Sequence, residues 1–419
     1  MALKNMTVSY MGYTILNKIK QAINQVITAT KNLDKQLVNI QIATGQTRKQ
    51  TRELLIEYSH LAKEMGRSTE SVATASNDWL RAGYEGKEAA ELTRASMMLS
   101  TLGMIEASEA TTYLISTLKG WKIEANEVID VVDKLSAVDM QAAISAGELA
   151  LAMSRANASA RIAGSDMNNF IGYVTTIADR TQKSAESVGE SMKTLYARYG
   201  NVKVNKFAAS QEEMESENYN EEEYESLNDL ETVLSGLGIK LRENAKEWRD
   251  FDTVLQDIAD HWENWDLTTK NAVSTAFAGT RQRENFLTLM DSWEDVGKYV
   301  NIASEAYGTA TSKMEAYTDS VEAAQGRVSV AIEQWALWAN GANTIKDFYN
   351  SLAFAIENIG TLVLAIGGLA VALNLNTVLG AFTSGISKMV AKSAEMSMVF
   401  DQIKINLNSS VGNVNAYKK

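Results

Sequence analysis

The chain contains neither proline nor cysteine among its 419 residues. At an average usage of roughly 5%, about 20 prolines would be present. Because proline removes a backbone donor and clashes with the preceding helical turn, its absence favours long helices; a compositionally biased fragment is the alternative explanation. The lack of cysteine excludes a disulfide framework, a thiolate nucleophile and a cysteine metal site, and leaves the redox compartment open.

Histidine and the usual catalytic motifs are also scarce. Only His60 and His261 are present, and neither has a second histidine four residues away that would form a helical zinc pair. No phosphate-binding loop and no G-x-S-x-G pattern occurs, and the acidic cluster lacks the alternating ligands and fixed glycine of a calcium loop. We therefore predict a protein that is not an enzyme and that uses no cofactor and no metal.

Charge is distributed unevenly along a chain whose formal net charge is −12. Residues 1–50 hold seven Lys/Arg and one acid, residues 212–231 hold ten acids and no base, and residues 388–419 hold five lysines and two acids. Because phosphate contacts need clustered cations, this balance argues against a general nucleic-acid binder. The basic first segment is either a solvated helix face or a surface for a membrane or an acidic partner.

Apolar residues recur at helical spacing through the first half, which predicts a mainly α fold. Residues 1–44 are predicted to form an N-terminal amphipathic helix, and residues 45–200 an irregular multi-helix core domain with Ser68 as one helix N-cap. Further helices are expected at Asn126–Leu135, Gln141–Ser154, Asp166–Thr181 and Ser184–Tyr199. Because glycine accepts a positive φ just past a helix end, four earlier helices are expected to end at glycines: Gly66, Gly83, Gly103 and Gly120.

The next segments are predicted to alternate between loop, hairpin and helix. Residues 201–231 are predicted to be an acidic exposed loop, and residues 232–300 a hairpin plus helices. The one small β-hairpin is placed near 238–250, where Ile239 and Leu241 alternate with cations ahead of Trp248. Helices are expected at Thr268–Ala278 and Arg281–Met290, followed by a long helix over residues 301–350 that runs unbroken from about Ala303 to Trp338. A sustained heptad repeat is not evident.

One stretch contrasts with this polar chain: Asn358–Ser387 has no charged residue in 30 positions. A bilayer core about 30 Å thick needs about 20 apolar residues in a helix, and Ile359–Phe382 supplies 24 uncharged positions. Its glycines weaken a water-exposed helix but suit close helix packing. A buried helix in an oligomer core and a membrane-inserting helix both remain open, and both can hold at different times.

These considerations predict a hydrophobic, helical, membrane-inserting segment at 351–387, centred on 358–387, followed by a polar basic tail at 388–419. The residues predicted to contact a membrane are Leu362, Val363, Leu364, Ile366, Leu369, Val371 and Leu373. The residues predicted to pack helix against helix are Gly367, Gly368 and Ala372.

Four stretches, in this order, carry a resemblance to a known family: residues 42–100, 171–200, 234–262 and 275–292. Across about residues 31–340 the chain resembles the bacteriophage tail tape measure protein, in the conserved-core type of phages and prophages of Gram-positive bacteria. The second stretch places Gly189 and Arg198 at the family's characteristic positions. The fourth resembles the family's "AGxRQ" segment through Ala278, Gly279, Arg281 and Gln282.

The resemblance implies a structural virion protein that lies in the tail lumen or the distal tail, and at the host membrane on infection. It implies that the protein sets tail length during assembly and helps DNA cross the host membrane. The implied partners are further copies of the chain (three or six), tail tube and distal tail or baseplate hub proteins, tail assembly chaperones and the host cell membrane. Viral DNA is expected to pass nearby without specific binding.

Two other functions remain open on the sequence. One is a component of a phage-tail-like bacteriocin or a helical pore-forming toxin, and the other is a tail assembly scaffold that never meets a membrane. The chain is short for the family, which leaves open that it is a piece of a longer protein. Length setting is therefore implied by the resemblance alone.

Overall fold

The computed structural model describes residues 27–200, 229–244 and 247–338. These residues form fifteen α-helices, one 3-10 turn and one two-stranded antiparallel hairpin, which confirms the mainly α prediction. Residues Lys31–Gln334 make one compact unit. A second unit combines Met1–Thr30 with Trp335–Lys419, and almost all of it lies outside the described residues.

The first described range is a succession of helices joined by short turns. They are α1 (27–44), α2 (Arg48–Met65), α3 (Thr69–Arg81), α4 (Gly86–Leu102), α5 (Ala107–Trp121), α6 (Val128–Asp139), α7 (Ala146–Ile162), α8 (Met167–Thr181) and α9 (Ala185–Tyr199). The side chains of Ser68, Asp166 and Ser184 accept hydrogen bonds from first-turn N–H groups of α3, α8 and α9. These caps confirm three predicted helix starts, because first-turn N–H groups have no partner within the helix.

Most of the predicted helix ends are confirmed: α4 has Gly103 as its C-cap, and α8 and α9 end at Thr181 and Tyr199. Gly66 ends α2 in the left-handed conformation, with φ 65°, as expected. By contrast, α5 continues past Gly120 to Trp121, and Lys122 takes the left-handed conformation at φ 57°. The predicted start at Gln141 is also wrong: α7 begins at Ala146, because Ser145 and Glu148 form a reciprocal capping box there.

The remaining elements follow the undescribed residues 201–228. They are α10 (Asp229–Gly236), β1 (Arg242–Asn244), β2 (Glu247–Trp248), α11 (Phe251–Trp262), α12 (Leu267–Asp291), α13 (Trp293–Ser304), α14 (Thr309–Thr318) and α15 (Val321–Trp338). The strands pair antiparallel with Arg242 opposite Trp248, which confirms the predicted hairpin. The two helices predicted around residues 268–290 form one kinked helix, α12.

The end of the predicted acidic loop is helical and not exposed. Helix α10 begins at Asp229, and the Glu231 side chain is buried. Its carboxylate accepts hydrogen bonds from Arg242 Nε at 2.9 Å and Nη2 at 2.7 Å. Burial raises the pKa of Glu231, and the hydrogen bond and charge of Arg242 act in the opposite direction. A carboxylate is tolerated in such a place because a guanidinium supplies the opposing charge.

The long helix predicted from about Ala303 to Trp338 is wrong. Helix α13 ends at Ser304, α14 runs over Thr309–Thr318, and α15 starts at Val321. Asp133 of α6 accepts hydrogen bonds from the backbone N–H groups of Gly308 at 2.8 Å and Ala310 at 2.7 Å. A side chain distant in sequence therefore caps the start of α14, and this interaction cannot be read from local periodicity.

The core of the unit crosses the domain boundaries predicted at residues 201–231 and 300. Helix α7 packs against α5, α8 and α9, while α13 packs against α8 and α14 against α6. The second-half helices therefore complete the core of the first half, so residues 45–200 and 232–300 share one compact unit.

Candidate functional site

Rings from four helices meet around Phe251, and we call this cluster the aromatic junction. The Phe251 ring centre lies 4.5 Å from Tyr196, 5.1 Å from Tyr199, and 6.2 Å from both Tyr173 and Phe277. Its backbone N–H also donates to the Ala163 carbonyl at 2.9 Å. Large rings in edge-to-face contact contribute both buried area and a preferred geometry. The aromatic junction therefore fixes α8, α9, α11 and α12 to one another.

Asp252, the next residue, gathers polar groups at the edge of the aromatic junction. Its Oδ1 accepts from the Ser165 hydroxyl at 2.6 Å and the Tyr173 hydroxyl at 3.0 Å. Its Oδ2 accepts from the Asp166 N–H and from Asn169 Nδ2, both at 2.7 Å. Burial raises the pKa of Asp252, while these four hydrogen bonds oppose the shift. The carboxylate joins α11 to the start of α8.

Burial also raises the pKa of Tyr173 and of Tyr196 well above the ordinary tyrosine value. The Tyr196 hydroxyl donates to Ser165 Oγ at 3.2 Å, and Ser165 in turn donates to Asp252. Both phenols are therefore neutral, hydrogen-bonded parts of the core. Sequence reasoning missed Asp252, because an acid in the first turn of a helix ordinarily marks only a favourable charge near the helix dipole.

Two of the predicted motif residues, Arg198 and Gly279, meet at the kink of α12. Gly279 has φ 65° and ψ 179° inside this helix, a combination that is essentially restricted to glycine. Arg198 Nη1 donates to the Ala276 carbonyl at 3.4 Å. A Cβ added at Gly279 would lie 2.6 Å from Arg198 Nη2. The backbone conformation therefore requires glycine at this position, and an added Cβ would also displace the end of the Arg198 side chain.

The other motif residues have separate positions. Gly189 faces α7, where an added Cβ would lie 2.5 Å from the Ala152 carbonyl oxygen. Ala278 is buried beside the kink, Gln282 Oε1 accepts from Asn285 Nδ2 at 3.0 Å, and Arg281 is exposed. The motif thus supports the packing of α9 on α7 and of α12 on α9, and it leaves one cation at the surface.

Helix α15 is held by a contact of small residues, which we call the α15 attachment. A Cβ at Gly326 would lie 1.9 Å from the Gly66 carbonyl oxygen, and one at Gly66 would lie 2.5 Å from Ala323 Cβ. Glu333 Oε2 accepts from the Thr69 N–H at 2.9 Å, so it caps α3 from another helix. Burial raises the pKa of Glu333. The α15 attachment places the helix on the corner between α2 and α3.

All ten residues predicted for membrane contact or helix packing, from Leu362 to Leu373, lie outside the described residues. Across residues 27–200, 229–244 and 247–338, no helix combines the length and the hydrophobicity of a membrane span. The same ranges contain no group of three or more histidine, aspartate or glutamate side chains arranged to hold a metal ion.

The comparison with known families identifies the chain through a match over its central part. The profile of the family described as phage-related minor tail protein matches residues 59–279, which is more than half of the chain. The match includes Gly189, Arg198, Ala278 and Gly279 and ends just before Arg281. No solved structure matches the chain. The chain therefore belongs to the phage-related minor tail protein family, and its role is that of a structural component of a phage tail.

Proposed function

We propose that this tail protein is a tail tape measure protein, or its distal, baseplate-facing part, of the conserved-core type in phages of Gram-positive bacteria. One observation carries the proposal, namely the order of parts along the chain. A compact helical body that matches the family is followed by α15, and α15 leads into residues 339–419 with their 30-residue uncharged stretch. A compact unit, then a helix, then a segment that can be buried at one time and enter a membrane at another suits a protein that first fills the tail tube and later leaves it.

In this proposal, several copies surround the tail axis during assembly and occupy the lumen of the tail tube. Their contacts are with tube proteins, distal hub proteins and tail assembly chaperones, and their length sets the length of the tube. On infection the copies leave ahead of the DNA, and Ile359–Phe382 enters the host membrane. The DNA passes through the resulting conduit without specific recognition, which the net charge of −12 supports.

Tail length tests the ruler part of the proposal. Ten idealised helical heptads inserted after Trp338 in the phage gene lengthen a helix by roughly 105 Å, at about 1.5 Å per residue. We expect the tails to lengthen by a similar amount in negative-stain electron micrographs. The matched control carries the same insertion between Met214 and Glu215, within the acidic segment, so that it adds the same mass at a different point of the chain. Tails of unchanged length in both phages would favour the scaffold alternative instead.

Membrane insertion is tested with the purified chain and anionic liposomes. We expect cosedimentation and dye release that vanish in a variant lacking Ile359–Phe382. The finer variant carries Ile366→Asp and Leu369→Asp, because charges in the apolar centre oppose insertion. Its control carries Asn358→Asp and Ser387→Asp at the two ends of the stretch. Normal DNA delivery by a phage with the central charges would reject the conduit, although the ruler role would stand.

A further inference from the structure

The α15 attachment encloses a carboxylate that no cation neutralises among the described residues. Glu333 is 7% exposed, and within the described ranges it belongs to no ion pair. Its one hydrogen bond there comes from the Thr69 N–H, at 2.9 Å. A carboxylate that leaves water loses many hydrogen bonds at once, so its charge is costly unless an opposite charge or several donors replace them.

Two other buried acids of the described residues are compensated better than Glu333. Glu231 accepts two hydrogen bonds from the guanidinium of Arg242, which also supplies the opposite charge. Asp133 accepts from two backbone N–H groups at the start of α14. Glu333 has a single donor and no counter-charge. Of these three carboxylates, Glu333 is therefore the one for which the neutral, protonated form is most favoured by its surroundings.

The groups around Glu333 do not offset its charge. From α3, the neighbouring acid Glu70 acts on it as a like charge. Arg67, between α2 and α3, donates instead to the Ser100 hydroxyl at 3.4 Å. From α2 comes the neutral Ser59 hydroxyl, which is bonded to the residue after Glu333. Only the positive end of the α3 dipole, through the Thr69 N–H, favours a charged carboxylate at this place.

We propose that the α15 attachment is a proton-controlled contact, firm when Glu333 carries a proton and weak when Glu333 is charged. Most of the remaining contact is between small residues, namely Gly66, Ala323 and Gly326, whose burial contributes little area. The state of one carboxylate is therefore a large part of the balance between attached and released α15. Such control of α15 goes beyond the proposed function and does not require the tape measure role.

The direction of the pH dependence follows from the same surroundings. Burial is the main cause that raises the pKa of Glu333, the Thr69 N–H opposes it, and the charge of Glu70 adds to it. The attached state therefore binds the proton more tightly than the released state, in which the side chain is solvated. Attachment is strongest below the ordinary glutamate pKa and weakens as the pH rises through the raised one. At neutral pH α15 is thus held less firmly, ready to leave the corner of α2 and α3.

Hydrogen exchange of the full chain tests the contact. Protection factors corrected for the intrinsic exchange rate are compared at about pH 5 and about pH 7.5, with α7 as the reference helix. We expect residues 321–334 to be at least about tenfold better protected at the lower pH, and α7 to change less. Glu333→Gln replaces the protonated carboxyl with a neutral amide, so it should keep the high protection at both pH values. Glu322→Gln, an exposed change on the same helix, should behave as wild type.

Two results would overturn the proposal. One is equal protection of α15 at both pH values in the wild-type chain. The other is a loss of protection in Glu333→Gln at about pH 7.5, which would mean that the charge itself holds α15 to the start of α3. Circular dichroism verifies that the variant keeps its helix content.

Substitution of Glu70 tests whether Glu333 is the group that titrates. Glu70→Gln removes the like charge, and Glu70→Lys replaces it with an opposite charge that favours the carboxylate form of Glu333. We expect the midpoint of the pH dependence of α15 protection to fall in the order wild type, Glu70→Gln, Glu70→Lys. A role of Glu70 in packing alone would change protection without moving the midpoint. A midpoint that does not fall in this order would overturn the proposal.

Discussion

The aromatic junction and the α15 attachment hold helices together in different ways. At the aromatic junction, fully buried rings such as Phe251 and Phe277 interlock from four helices, and Asp252 adds four hydrogen bonds at the edge. At the α15 attachment, two glycines and Ala323 allow backbones to touch, and Glu333 adds a bond to the Thr69 N–H. The first contact is rich in side-chain area, whereas the second is almost all backbone.

This difference indicates that the aromatic junction supplies global stability, whereas the α15 attachment fixes the position of α15. Apolar burial stabilises roughly in proportion to area, so the rings of the aromatic junction contribute far more than Gly66 and Gly326. The α15 attachment instead depends on shape, because no larger side chain fits between the two backbones. We therefore expect substitutions at the aromatic junction to lower global stability, and substitutions at the attachment to release α15 locally. Three substitutions test this comparison, and a fourth tests the kink of α12 as a purely conformational reference.

The largest effect is expected from Phe251→Ala. Its ring is fully buried among Tyr196, Tyr199 and Phe277, and truncation of such a ring costs about 3–5 kcal/mol of unfolding free energy. Urea unfolding followed by circular dichroism measures the loss. The control Leu267→Ala removes a side chain that is 71% exposed and should change little. Similar losses for both variants would show that the aromatic junction is not the main source of stability.

Next in size is Asp252→Asn. Each carboxylate oxygen of Asp252 accepts two hydrogen bonds. In the asparagine variant an NH₂ group takes the place of one oxygen, and the two groups that donated to that oxygen then have no acceptor. We expect a loss of about 2–4 kcal/mol in the same urea experiment. Asp260→Asn, an exposed change on the same helix, is the control. If the two variants had the same unfolding free energy, water would have replaced the lost hydrogen bonds at the edge of the aromatic junction.

A smaller loss is expected from Gly279→Ala at the kink of α12. Alanine is strained at φ 65° and ψ 179°, and its Cβ also meets Arg198, so we expect a cost of about 1–3 kcal/mol. Gly297→Ala in α13 is the matched control, because nothing lies within 4 Å of an added Cβ there. Since alanine is the better helix former, that control should gain up to about 1 kcal/mol. A gain in both variants would indicate that α12 straightens without cost.

The smallest global effect is expected from Gly326→Ala, where helix propensity and packing predict opposite changes in the stability of α15. Helix propensity alone predicts a gain of about 1 kcal/mol. The added Cβ would lie 1.9 Å from the Gly66 carbonyl oxygen, so we expect α15 to leave its site instead. Hydrogen exchange should then rise in residues 321–334, while the main urea transition stays within about 1 kcal/mol of wild type. Unchanged exchange throughout α15 would contradict the attachment described above.

Much of the local structure could be predicted because its causes lie close together in sequence. Ser68, Asp166 and Ser184 cap helices through bonds to residues two or three positions later. The hairpin follows from alternation and a polar turn. The motif residues were found through family resemblance, but sequence did not show that Arg198 and Gly279 touch. Asp252 was missed because its partners Ser165 and Tyr173 lie about 80 residues away.

The helical class, several helix starts, the hairpin and the family follow from the sequence, since propensity, caps and periodicity act within a few residues. Packing of the whole unit, by contrast, sets where groups that are distant in sequence meet. Asp133 of α6 caps the start of α14 within the segment predicted to be one long helix, and Glu231 of the predicted acidic loop is buried against Arg242. Packing also sets which apolar face of α15 stays exposed, because a helix can pack only one of its sides against the unit to which it belongs.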